Sequence, residues 1–358
     1  MAKSKFNHVK VSGISTVVPE NVKCIDDEVD LYGGNEKQIA RIKKAVGLNK
    51  RHVVDEHTTT LDLCIDATKR LFEELKVDKE QIDGLIFVTQ TPDHFQPANA
   101  AIAHGKLELN TSAASFDVSL GCSGYVYGLW LAHMMVETGA CSNVLLLAGD
   151  TLSRCVNERD RSTAPLFGDA GTATLVQRSD VKMPSYFSLH TDGSGSQHIM
   201  QPAGAFRTPF SEVTRNSTVV DEDGNHKSQE DLLMNGAEVF NFSIKVEPPS
   251  VQDILEFSQK SIDDINYVFF HQANQYIISN IARRLKLPKE KAPSDIVSHY
   301  GNQSSASIPC AICHVIPNSD KPVEQESVLS GFGVGLSWAS AVLSLQEAKV
   351  LNVNIYNK

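Results

Sequence analysis

The chain has no apolar run near the roughly 20 residues that a bilayer crossing needs, so a helical membrane protein is excluded as a reading. Its first ten residues, Met1 to Lys10, are charged and lack the apolar stretch of a signal peptide, which predicts a cytoplasmic protein. Basic charge is in deficit: 33 Lys and Arg face 43 Asp and Glu, a net charge of −10. Nothing global then draws the chain to nucleic acid, and no such partner is expected. Cysteines number seven, an odd count scattered at 24, 64, 122, 141, 155, 310 and 313, so a disulfide framework is absent and a reducing compartment is expected. Cys310 and Cys313 have CxxC spacing, but no second ligand pair accompanies them and no metal is expected. Aromatics are only 7%, yet 41% hydrophobic and 21% charged residues are ordinary for a globular chain and exclude disorder.

A length of 358 residues allows two domains or one domain doubled. Periodicity alternates strands and helices: strands at Val9 to Val17, Gly84 to Thr89, Ser115 to Val118 and Val144 to Ala148, and helices at Leu61 to Leu75, Ala98 to Leu107 and Gly124 to Glu137. This order predicts an α/β architecture with a mostly parallel sheet. Residues 178–233 are rich in Gly, Ser, Asn and charge and read as hairpins and loops joining two halves. Beyond them come a helix at Val251 to Lys260, a strand at Tyr267 to Phe270, and helices at Gln272 to Leu285 and Ser304 to His314. Phe167-Gly168 and Phe332-Gly333 each lead into an alternating small and apolar strand near the end of a half. The chain therefore reads as a diverged duplication, with halves at 1–177 and 178–358. Gly168-Asp169-Ala170-Gly171 lacks the Lys-Ser/Thr of a phosphate loop and reads as a turn into a strand.

Three residues at strand-to-helix junctions carry candidate chemistry. Cys122, in Ser119-Leu120-Gly121-Cys122-Ser123-Gly124, sits where a helix N-terminus favours a thiolate; the plain alternative is a small buried hydrophobe. His271 follows an apolar strand and opens the next helix, at the strand end where α/β sheets bind ligands; the alternative is a structural histidine. Asn302, in Tyr300-Gly301-Asn302-Gln303, stands ahead of a helix and is equally suited to an N-cap. The nucleophile lies in one half and the other two residues in the second, so a two-fold arrangement of halves would bring them together.

The segments Ser119 to Gly124, His271-Gln272-Ala273-Asn274, Tyr300 to Ala311 and Gly331 to Trp338 resemble the β-ketoacyl-ACP synthase III family of the thiolase superfamily, in matching order from about Val11 to Leu345. The resemblance implies a thiolase fold, a five-layered α-β-α-β-α sandwich of two duplicated halves, as a homodimer. It implies transfer of an acyl group from a CoA or ACP donor to Cys122, then decarboxylation of malonyl-ACP and condensation to a 3-oxoacyl-ACP. His271 and Asn302 would assist decarboxylation, and the backbone of Cys122 and of Gly333-Val334-Gly335 would form an oxyanion hole. Acyl-CoA and malonyl-ACP are substrates, and no cofactor is implied. Asn274 and Arg161 match donor-contacting positions, Phe240 a tunnel position, and Phe95 and Gln96 lie near the expected acyl pocket. Arg41, Lys43 and Lys44, with Arg283 and Arg284, are candidates to receive an acidic acyl carrier protein or phosphate; solvated helix faces are the alternative.

The chain departs from the family pattern at the donor side. Arg41 stands where members have a Trp that stacks on the adenine, Ala45 where an Arg follows, Tyr276 for a basic residue, Ala237 for an Asn, Val334 for a glycine and Gln96 for an apolar residue. These changes favour a donor other than plain acetyl-CoA. A second reading keeps the acyl-cysteine but passes the acyl group to an oxygen or nitrogen acceptor without decarboxylation.

Overall fold

The computed structural model describes residues 2–32, 34–320 and 322–357. In chain order the strands of its two main sheets are β1 (Ala2–Phe6), β2 (Val9–Val18), β3 (Gly84–Val88), β4 (Ala114–Val118), β5 (Asn143–Asp150), β6 (Ala170–Arg178), β7 (Ser185–Thr191), β8 (Ile265–Phe270), β9 (Glu326–Gly333), β10 (Ser337–Leu343), β11 (Lys349–Val350) and β12 (Asn354–Ile355). The helices are α1 (Glu36–Val46), α2 (Thr60–Leu75), α3 (Asn99–Leu107), α4 (Gly124–Glu137), α5 (Glu212–Arg215), α6 (Gly236–Ser258), α7 (Gln275–Arg284), α8 (Ile296–Tyr300) and α9 (Ser307–Val315).

Side-chain alternation along the strands decides the layering. In β3, Leu85 and Phe87 join one core while Ile86 and Val88 join another, and all four are fully buried. A strand buried on both faces needs cover on both. α2 and α3 cover the outer face of the seven-stranded sheet, whose order is β11-β2-β6-β5-β3-β4 with β12 also on β2. α6 and α7 cover the outer face of the five-stranded sheet, β1-β7-β10-β9-β8. Between the sheets lie α4 and α9, whose apolar residues pack against inward residues of both. The result is five layers, α-β-α-β-α, as the resemblance implies. A helix apolar on every side belongs in such a middle layer, and α4 qualifies through Tyr125, Val126, Leu129, Ala132 and Val136.

The duplication is visible in the ladders. β3 pairs parallel with β5, β5 antiparallel with β6, and β6 antiparallel with β2. The same sequence of pairings recurs as β8 with β9, β9 with β10, and β10 with β7. The sheets are therefore mixed, which corrects the expectation of a mostly parallel sheet: the Phe-Gly strands run back against their neighbours and need no crossover helix. Each terminus crosses over, β1 joining the five-stranded sheet and β11 and β12 the seven-stranded one.

Three further expectations need correction. Residues 178–233, expected as hairpins and loops, also hold β7, an inner strand of the five-stranded sheet with Phe187 fully buried. The helix expected at 251–260 begins at Gly236 and runs through Pro248 and Pro249, capped by the Asn235 side chain accepting from the Glu238 N–H. His271 does not open a helix; Gln272 and Ala273 intervene, and Asn274 is the N-cap of α7. Among the described residues no helix is long and apolar enough to cross a membrane.

Candidate active site

Cys122 is the fourth residue after β4 and stands just ahead of α4, in the tight turn where the Gly124 N–H donates to the Gly121 carbonyl. Glycines flank this cysteine closely in space, and the approach is tightest at Gly333. A Cβ on Gly121 would lie 1.6 Å from Oε1 of Gln90, and one on Gly333 would lie 2.7 Å from Cys122 Sγ. Gly333 also has φ +157°, a conformation other residues rarely adopt. The next residue, Val334, directs its backbone N–H at the sulfur, and Ser304 Oγ lies 3.9 Å from it. Burial nevertheless dominates: it pushes the Cys122 thiol up to about 11, with Val334 and Ser304 pulling the other way. Burial thus works against the thiolate that the helix N-terminus favours.

His271 caps the carboxyl end of β8, where its N–H donates to the Ser330 carbonyl at 2.8 Å. The ring is buried, edge-on to Phe332 at 5.5 Å, with Nδ1 2.7 Å from Ser307 Oγ. Burial pushes its pKa down to about 3, so the imidazole is neutral near pH 7.

Asn302 is pinned by the first half's Phe-Gly turn. Its N–H donates to the Leu166 carbonyl, and its carbonyl accepts from the Gly168 N–H. Gly168 permits this approach, since a Cβ there would sit 1.9 Å from the Tyr300 carbonyl. The side-chain Oδ1 accepts from the Ser304 N–H at 2.9 Å, which fixes the amide with Nδ2 as the outward donor, 3.4 Å from the Ala273 carbonyl.

Cys122, His271 and Asn302 line one cavity, together with Asn274, Gly333 and Val334. Its other walls include Leu152, Leu166, Phe167, Leu232 and Val239, so the space is largely apolar, with Gln90, His271, Asn274 and Asn302 as polar residues of its wall. Three residues of this centre, Gln90, Asp150 and Ser304, carry no mark in the sequence pattern. Gln90 lines the cavity and accepts from Ser304 Oγ at 3.2 Å. Asp150, fully buried, accepts from the Gln90 N–H and from the N–H and Oγ of Ser305. Burial raises the Asp150 pKa while those donors oppose the rise. The available signal was position: Gln90 and Asp150 both stand at the carboxyl ends of strands.

Other candidates lie outside this wall. Phe95 is 71% exposed against Phe206, and Gln96 is exposed beside it, because their loop turns outward. Phe240 stacks on Tyr276 at 5.4 Å, leaving its neighbours Gly236 and Val239 to line the cavity. Arg161 is held by Asp223 at 2.7 Å. Of the basic residues, Lys43 pairs with Asp26, Arg283 bonds Asn280 and Arg284 donates to the Ile244 carbonyl, whereas Arg41 and Lys44 are exposed on α1. Cys310 and Cys313 are buried core residues of α9.

Residues 116–193 match the model of the 3-oxoacyl-[acyl-carrier-protein] synthase III family, and residues 255–345 match that of the same family's C-terminal region. A Campylobacter jejuni chain provisionally named 3-oxoacyl-[acyl-carrier-protein] synthase 3 is 38% identical, over 99% of both chains. The β-ketoacyl-[acyl-carrier-protein] synthase III of Clostridium perfringens is 33% identical, covering 95% of this chain and all of that one (100%). Among solved structures, a 3-oxoacyl-(acyl-carrier protein) synthase from Burkholderia xenovorans superposes with a TM-score of 0.90 at 33% identity, over 99% of both chains. Full-length similarity at this level, on a duplicated five-layered fold with cysteine, histidine and asparagine at one cavity, places the chain in the 3-oxoacyl-[acyl-carrier-protein] synthase III family.

Proposed function

We propose that this chain is a condensing acyltransferase in which Cys122 carries the acyl group and His271 and Asn302 drive decarboxylation of malonyl-ACP. The observation that carries the reading is the convergence of these three side chains, from separate segments of both halves, on one apolar cavity.

In the first step Cys122 Sγ attacks the donor thioester, the acyl–sulfur bond of the donor breaks, and the thiol proton leaves with the departing thiol. A raised thiol pKa makes this proton transfer part of the step rather than a prior ionisation. The backbone N–H groups of Cys122 and Val334 are the proposed donors to the carbonyl oxygen of the tetrahedral intermediate. In the second step malonyl-ACP loses CO₂, and negative charge develops on its thioester oxygen. Asn302 Nδ2 is one donor to that oxygen. His271 is the proposed second donor, through Nε2 in the tautomer that carries its proton there, with Nδ1 facing Ser307 Oγ at 2.7 Å. A neutral imidazole stabilises the enolate without holding a charge in an apolar space. The enolate carbon then attacks the acyl-cysteine, releasing the 3-oxoacyl-ACP and the Cys122 thiolate, which takes up a proton.

Acyl carrier protein is the partner this chemistry requires. The donor is proposed to be an acyl-CoA or acyl-ACP other than acetyl-CoA, on the strength of Arg41 and Ala45 at the adenine-binding positions. Asn274 at the cavity is the proposed pantetheine contact. The outer edge of β4 carries no partner among the described strands, and we propose that a second copy pairs there to give a homodimer, which light scattering would report as the mass of two chains. Seven free thiols fit a cytoplasmic location. Plain transfer to an oxygen or nitrogen acceptor would leave the Asn302 donor without a role. The test is intact-mass measurement after incubation with panels of acyl-CoAs and acyl-ACPs. One acyl adduct per chain, abolished in Cys122→Ala, is expected; an adduct that persists in that variant overturns the assignment.

A further inference from the structure

Outside the cavity, three ligand-type side chains meet where α8 packs beside α9. Asp295 stands at the N-cap of α8, His299 follows four residues later, and His314 comes from the last turn of α9. One ligand atom from each lies within 4.8 Å of the other two. The i, i+4 spacing puts Asp295 and His299 on one side of their helix. The rings of His299 and His314 stack at 5.2 Å and 28°. Asp295 makes no side-chain cap to its own helix, although Asp at that position ordinarily does. Nδ1 of His314 faces the Tyr300 hydroxyl at 3.2 Å, which orients the ring and leaves Nε2 as the nitrogen open to a cation.

We propose that Asp295, His299 and His314 form a binding site for a divalent transition-metal cation of the Zn²⁺ class, and that the bound ion ties α8 to α9. Two imidazoles and one carboxylate suit such an ion; Ca²⁺ and Mg²⁺ take oxygen ligands instead. Metal–ligand bonds of about 2.0–2.2 Å set tetrahedral ligand atoms roughly 3.4 Å apart, so binding requires each side chain to move inward by no more than about an ångström. Both histidines are half-buried and Asp295 is exposed, which permits that movement and leaves a fourth position to water. None of the three lines the catalytic cavity. The ion acts structurally, because the segment it brackets, 301–306, carries Asn302 and Ser304. A metal at this place is compatible with metal-free condensation chemistry, since it touches neither substrate nor sulfur.

The test uses untagged, metal-stripped protein titrated with ZnCl₂ by calorimetry, with Co²⁺ as a visible-absorption probe. One Zn²⁺ per chain and a rise in Tm on binding are expected. His299→Ala and Asp295→Asn, at partly open positions, should each weaken Zn²⁺ binding at least tenfold while keeping the metal-free Tm, and His314→Ala should do the same if it folds. His57→Ala, at an exposed histidine elsewhere, should bind as the parent does. Failure to bind Zn²⁺, or binding unchanged in both His299→Ala and Asp295→Asn, overturns the proposal.

Discussion

At Cys122 the residue's reactivity and its burial pull in opposite directions. Close backbone approach from Gly333 and Val334 gives the sulfur a defined position, while the same enclosure pushes its pKa up to about 11. Alkylation of the resting enzyme by iodoacetamide, which needs the thiolate, should therefore rise about tenfold per pH unit from pH 7 to 9. A rate that levels off near pH 7 would show that the helix N-terminus outweighs burial. Cys122, His271 and Asn302 were legible in the sequence because each sits in a short motif with glycine or a strand end beside it. Gln90, Ser304 and Asp150 were not, since their roles come from hydrogen bonds across 60 to 214 residues of chain that no local pattern encodes.

Among the elements, those with clean periodicity were legible nearly to their ends, as with α2 and β5. β7 was hidden because a small-residue strand, with Ser185 and Ser188 among its members, sits in a polar stretch, although Phe187 and Leu189 alternate inward. α6 was truncated because Pro248 and Pro249 ordinarily break a helix. One turn of that helix carries Glu247, a fully buried carboxyl that accepts from Ser330 Oγ at 2.5 Å and whose other oxygen has no partner. Burial raises its pKa to about 8. A raised carboxyl stabilises the fold while protonated, so its contribution is full below about pH 4 and is lost as pH climbs through about 8. Glu247→Gln should therefore gain stability over the parent by up to about 1.4 kcal/mol per pH unit across that window, read from urea unfolding at pH 5, 6, 7 and 8. Parallel stability curves for the two proteins would refute the buried-carboxyl assignment.

At the scale of the whole molecule, the two sheets are built from the same series of ladders, and the site lies where their halves meet. The duplication was legible only through the two Phe-Gly strands; its mixed pairing and the exchange of termini between sheets are set by long-range packing. This arrangement lets the proposed acyl-carrying cysteine and the proposed decarboxylating pair, which come from different halves, reach one cavity. It also allows the two half-reactions to be separated by single substitutions. The most direct test measures acyl-adduct formation and CO₂ release from malonyl-ACP side by side in the parent, His271→Ala and Asn302→Ala. Both variants are expected to acylate Cys122 to the parent's stoichiometry while CO₂ release falls by about 10²- to 10³-fold, the usual loss for one oxyanion donor. Decarboxylation at the parent's rate in either variant would contradict the account.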